Sequence, residues 1–171
     1  MSNVVLDVRG PINATTAYVN NTLVARNVTI TLPEVTHVLG TIKTALGEQD
    51  MPLYGLVDSM EATIQKIGCD MGLAKICQLR SNNYEFRWTQ QVTRTNGKIE
   101  VGGCRAYIRA VPKVVPAIEV NPGDSVELDI PLAVTRYQFF CEGEEIVLVD
   151  KLAGICRING EDYASSLGNL L

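Results

Sequence analysis

The chain has 171 residues, 15 basic and 19 acidic side chains, a net charge of −4 and an apolar fraction of 46 %. That balance excludes an intrinsically disordered chain and argues against a protein built to grip phosphates. No stretch approaches the roughly 18 uninterrupted apolar residues of a membrane span, while a charged fraction of 20 % is light for the surface of a solitary domain.

The length fits one domain over residues 1–171, with an amino-terminal arm at 1–15, a long loop at 40–55 and a tail at 161–171. The start, MSNVVLDVRGP, lacks the basic and apolar regions of a secretory signal. The sequons Asn13-Ala14-Thr15, Asn20-Asn21-Thr22 and Asn27-Val28-Thr29 are therefore read as chance matches. His37, in Val35-Thr36-His37-Val38, falls on the polar side of a short strand. From Gly40 to Tyr54 polarity is mixed and no period is clear, which predicts an irregular, functional insertion. Met60, Ala62 and Ile64 alternate against Glu61, Thr63 and Gln65, a strand over Ser59–Ile67. Asp70–Leu79 is the best helix, capped by Asp70, with Leu73, Ile76 and Cys77 on one face.

Alternation then dominates. Tyr84, Phe86 and Trp88 share one face of a strand, and Glu85, Arg87, Thr89 and Gln91 the other. Asn96-Gly97 predicts a hairpin turn. The apolar phase moves from Ile99 and Val101 to Cys104, Ala106, Ile108 and Ala110 across Gly102-Gly103, which predicts a bulge at the glycine pair. Asn121-Pro122-Gly123-Asp124 marks a turn, and Val126–Val134 alternates with Pro131 inside it, a sign of an edge, bulge or break. Tyr137, Phe139 and Cys141 continue in shifted phase, Glu142-Gly143 turns the chain, and strands follow over Ile146–Val149 and Leu152–Ile158. The fold class is mainly β (α+β), antiparallel and sandwich-like or barrel-like, with one helix and one long loop.

Chemistry is sparse. The cysteines Cys69, Cys77, Cys104, Cys141 and Cys156 show no metal-ligand or redox-motif spacing and are read as buried, reduced thiols. A dyad of His37 with a cysteine has no local signature. Glu142, Glu144 and Glu145 suit a solvated hairpin tip better than a cation site. Arg105, Arg109 and Lys113 share a strand face with Tyr107, a pattern of single-strand nucleic-acid platforms, with Glu100, Glu127 and Asp129 placed to neutralise it. No catalytic set, metal site or cofactor motif is legible, and the reading is of a non-enzyme.

Val28-Thr29-Ile30-Thr31-Leu32-Pro33-Glu34-Val35, the following loop and Ser59-Met60-Glu61-Ala62 together resemble the major tail tube protein family, FII, of contractile-tailed bacteriophages and related phage-tail-like particles. Val147-Leu148-Val149-Asp150, Cys156-Arg157-Ile158-Asn159-Gly160-Glu161-Asp162 and Leu167-Gly168-Asn169-Leu170 extend the resemblance in the same order over residues 16–171. The resemblance implies a structural subunit whose six-membered rings stack around a channel, hold the tape-measure protein and conduct DNA without binding it specifically. It implies a tail sheath, baseplate and tail terminator as further partners, and a place in the virion after synthesis in the bacterial host cytoplasm. The loop, with Gly40, Leu46, Glu48, Asp50, Met51 and Tyr54, would then be the inter-ring loop, and Leu73, Ile76 and Cys77 would lie on an inter-subunit helix. Glu85, Glu100, Glu127 and Asp129 are candidate channel-facing residues. The alternative is a monomeric β-sandwich binding module for single-stranded nucleic acid or a small ligand.

Overall fold

The computed structural model describes residues 7–171; residues 1–6 of the expected arm lie outside the described residues. In chain order the strands are β1 (Val8–Val19), β2 (Thr22–Arg26), β3 (Thr29–Thr31), β4 (His37–Thr44), β5 (Gly47–Val57) and β6 (Met60–Ile67). After helix α1 (Met71–Ile76) come β7 (Asn82–Thr93), β8 (Ile99–Pro112), β9 (Glu127–Cys141), β10 (Glu144–Asp150), β11 (Ile155–Ile158) and β12 (Glu161–Asp162). A second short helix, α2 (Ser165–Gly168), lies in the segment expected to be a tail, and β1 begins inside the expected arm. The fold is mostly β, antiparallel and sandwich-like, and it does not close into a barrel.

All strands but β4 and β5 join one sheet, ordered β12-β11-β10-β9-β8-β7-β1-β2, with β6 on β9 and β3 on β6. β9 organises it. Residues 132–134 pair with both β6 and β8, and residues 136–141 with both β8 and β10, so β6 and β10 lie end to end along one edge of β9. Pro131 is tolerated because its carbonyl accepts from Lys113 N–H at 3.0 Å. Its missing donor therefore faces the last residues of β8, beyond the ladder.

The even-numbered residues of β7, β8 and the first half of β9 point inward. Tyr84, Phe86, Ala106, Ile108, Ala110, Ile130 and Leu132 meet Ala17 and Val19 of β1 and Met60, Ala62 and Ile64 of β6 in one core. The expected turns are present: Gly97 takes φ +81, Gly123 φ +91, and Glu142-Gly143 closes β9 onto β10 with φ +51 and +86. Primed turns of that kind match the twist of the flanking strands.

The two phase changes have different causes. Along β9 the register slips between Arg109 and Ala110 of β8, leaving Thr135 as an extra residue, so Tyr137 faces inward where Val134 did. Along β8 the expected bulge at Gly102-Gly103 is absent: pairing with β7 runs unbroken from Asn82↔Ala110 to Thr93↔Ile99. Ile99 and Val101 instead point away from the core, each 62 % exposed.

Candidate functional site

The expected irregular loop is a second, two-stranded sheet. β4 and β5 pair only with each other, in register from Thr44↔Gly47 through Thr41↔Asp50 to Leu39↔Pro52. Its polar alternation is broken because neither face packs on the core. Leu39, Ile42, Leu46, Met51, Tyr54 and Leu56 are all exposed, with Leu46 wholly so at the tip. Thr41 Oγ1 donates to Asp50 Oδ1 at 2.7 Å and Thr44 Oγ1 to the Gly47 carbonyl at 2.9 Å, added to a backbone ladder that stands without a core. An isolated hairpin is marginal in water, and this one carries exposed apolar side chains on both faces. Glu48 and Asp50 give this hairpin an acidic rim.

At the hairpin base, Leu53–Leu56 leave the ladder before His37↔Val57 restores it. Here the carboxy-terminal segment clasps the chain. Tyr54 and Tyr163 meet edge to face at 6.1 Å between ring centres. Gly55 takes φ +76, and a Cβ there would lie 2.6 Å from Leu167 Cδ1 and 2.9 Å from the Tyr163 carbonyl, so only glycine fits. Tyr163 N–H in turn bonds to the Cys156 carbonyl at 2.7 Å, tying the clasp to β11. A cleft of about 420 Å³ lined by Leu56, Val149, Ile155 and Leu167 opens beside it.

A second apolar surface lies where the sheet overhangs the core. Val8 and Ile99 flank Thr93 from either side, with Val101 one step along, and all three hydrophobics are exposed on the outward face.

The rest of that outward face is charged. Cross-strand pairs share a face, and the register places Arg87 opposite Arg105 and Arg109 opposite Arg136. Tyr107 lies between Glu85 and Gln138, its ring edge-on to Phe140 at 5.9 Å. Glu85 holds Arg87 at 2.5 Å, Asp150 faces Arg136 at 3.6 Å and Glu145 holds Arg157 at 3.1 Å. Among the described residues Arg105 and Arg109 have no carboxylate partner. Lys113, at the far end of β8, pairs with Glu61 at 2.6 Å rather than with Glu127 or Asp129.

Of the candidate channel-facing residues, Glu85, Glu127 and Asp129 share this outward face. Glu100 does not: it sits opposite buried Val92 and is bonded to Arg94 at 2.7 Å and Lys98 at 3.1 Å. Those two cations hold its carboxyl below the ordinary value.

Helix α1 forms where expected, and Asp70 caps it by accepting from Leu73 N–H at 3.1 Å. The same carboxylate accepts from buried Lys66 at 3.0 Å, and this bond, followed by the cap, holds its pKa down. Ile76 and Cys77 are buried in the subunit's own core and Leu73 packs against it. Within the subunit they close the core. The helix's exposed apolar residues are Met71 and, just past it, Leu79.

Neither a His37–cysteine dyad nor an acidic cluster is assembled among the described residues. His37 is exposed, and no hydrogen bond joins it to a cysteine. Glu142 turns to Arg9 and Glu145 to Arg157 and Gln138, so the acidic cluster does not converge. Among the described residues no group of three or more His, Cys, Asp or Glu side chains could hold a metal, and no helix is long and apolar enough to cross a membrane.

The described residues therefore form a mostly β subunit that carries an exposed apolar hairpin and an apolar overhang. The model of one family, phage tail tube protein FII, matches residues 10–171, and the chain belongs to that family. No curated protein matches it. It is a structural tail tube subunit, a component of the bacteriophage virion.

Proposed function

We propose that six copies of this chain form a ring, that rings stack into a tube through the β4–β5 hairpin, and that the tube holds the tape-measure protein and conducts DNA during ejection. The observation that carries the reading is the hairpin itself: a sheet of its own, apolar on both faces, projecting from a finished core. A head-to-tail contact that closes yields a ring, and repetition along its axis yields a filament. The edge strand β2, with its unpaired backbone groups, suits joining to a neighbour's sheet. The apolar overhang of Val8, Ile99 and Val101 and the exposed Met71 and Leu79 supply contacts between subunits. Glu85, Glu127 and Asp129 face the channel on this reading, where like charge lets DNA slide. Glu100, bonded to two cations on the other face, is left to intrasubunit bonding. A contractile sheath surrounds the tube, and baseplate and tail terminator proteins bound its ends.

Electron microscopy of the purified protein at high concentration tests this directly: stacked six-fold rings are the expected result. The cross-strand arginine pairs around Tyr107 favour one rival, a monomeric single-strand nucleic-acid binder. Persistent monomers with a salt-steep affinity for single-stranded DNA, lost in Arg105→Ala/Arg109→Ala, would establish the rival and overturn the tube.

A further inference from the structure

Cys104 on β8 and Cys141 on β9 lie directly opposite one another, with their sulfurs 3.3 Å apart and unbonded. Glu142 N–H bonds to the Gly103 carbonyl at 3.0 Å, so the flanking pair is hydrogen-bonded and the cysteines occupy the closer, non-hydrogen-bonded kind of site. The Cα separation of such a pair, about 4.5 Å, lies within the window a disulfide accepts, about 4.4–6.8 Å. Cys104 is 3 % exposed while Cys141 is partly exposed at the end of the strand, where Gln90 Nε2 donates to its sulfur at 3.6 Å. Neither thiol is needed by the core as a polar group, and both point to the same side of the sheet.

We propose that Cys104 and Cys141 form a redox site, a cross-strand disulfide that closes in an oxidising medium and pins β8 to β9. The oxidant is a small-molecule disulfide. Cys141, the reachable thiol, gives its proton to solvent and attacks one sulfur of oxidised glutathione, forming a mixed disulfide and releasing one glutathione thiolate. Cys104 then loses its proton to water and attacks Cys141 Sγ, which expels the second glutathione thiolate. Two protein thiols are oxidised and one glutathione disulfide is reduced to two glutathione molecules. Burial and the contact with Cys141 push the Cys104 thiol up to about 12. The closing step is therefore slow at neutral pH and accelerates roughly tenfold per pH unit as thiolate accumulates.

The test uses the full chain carrying Cys69→Ser, because Cys69 is exposed and free to link molecules. After incubation with oxidised glutathione at pH 8 to 9, the chain is expected to lose two hydrogens in mass and to yield a proteolytic fragment joining Cys104 to Cys141. Trp88, directly opposite Cys104, should lose fluorescence that dithiothreitol restores. The midpoint of thermal unfolding should rise by roughly 5 °C or more. Cys104→Ala and Cys141→Ala should each abolish all of these changes. The partly exposed position of Cys141 keeps its variant readable even if the buried substitution unfolds the chain. A glutathione adduct that persists on Cys141, a link to Cys77 or Cys156, or unchanged mass after oxidation at pH 9 would each overturn the proposal.

Discussion

The β7–β8 hairpin and the β4–β5 hairpin are built by the same backbone rules and serve opposite ends. In the first, each residue of Tyr84, Phe86, Ala106 and Ile108 is buried while its neighbours carry charge outward. In the second, Leu39, Ile42, Leu46 and Met51 are exposed, and the backbone ladder stands without a core, with threonine bonds to Asp50 and Gly47 added to it. The first hairpin therefore carries the free energy of folding. The second buries little and, on the proposed reading, keeps its apolar area for contact with another molecule. A subunit that must fold before it assembles needs this division, because substitution in one region should leave the other's task intact.

The division can be broken first at its strong side. Phe86→Ala removes a fully buried ring that stacks on Tyr84 at 6.3 Å. It should cost about 3–5 kcal/mol, read as a lower urea midpoint with an unchanged slope. Tyr84→Phe is milder. It deletes the hydroxyl that donates to the Ile76 carbonyl at 2.9 Å and leaves that carbonyl buried at the end of α1, for an expected loss of about 1–2 kcal/mol in the same experiment.

Asp70 ties the stability of the core to pH. Its pKa lies below the ordinary carboxylate value because of Lys66 and the helix cap. The stability it contributes is therefore fully present above the unfolded value near about 4 and is lost as pH falls through the lower folded value. Asp70→Asn should flatten the acid side of the stability profile measured by denaturant titration at successive pH values, and should leave assembly at neutral pH unchanged. The smallest stability effect belongs to the tip: Leu46→Asp should shift the urea midpoint by less than about 0.5 kcal/mol equivalent, yet reduce the yield of sedimenting particles severely.

Which parts were legible from sequence follows from what alternation can and cannot report. The strand at Tyr84–Trp88, the turn at Glu142-Gly143 and the Asp70 cap depend on local chemistry and appear as expected. Apolar alternation reports where hydrophobic side chains lie, not what covers them. At Thr135 a phase change marks a real extra residue, whereas at Gly102-Gly103 an equal change marks Ile99 and Val101 turned outward on a regular ladder. The β4–β5 hairpin escaped for the same reason. With no buried face there is no period, and Gly40–Tyr54, which lies within the strands of residues 37–57, reads as irregular. Leu73, Ile76 and Cys77 share one helical face, as their spacing predicts, and that face meets the subunit's own core. Outward placement, the information an assembly site needs, came only with the fold.

On the proposed reading, the hairpin joins one ring to the next without supporting the fold. Ile42 and Gln49 are cross-strand partners, so residues 42–49 can be excised and Thr41 joined to Asp50 through Asn-Gly, keeping the ladder below. Urea unfolding and electron microscopy of this variant, side by side with the parent chain, test the claim most directly. The expected result is an unfolding midpoint within error of the parent and no stacked tubes. Normal tubes from the shortened chain would contradict it.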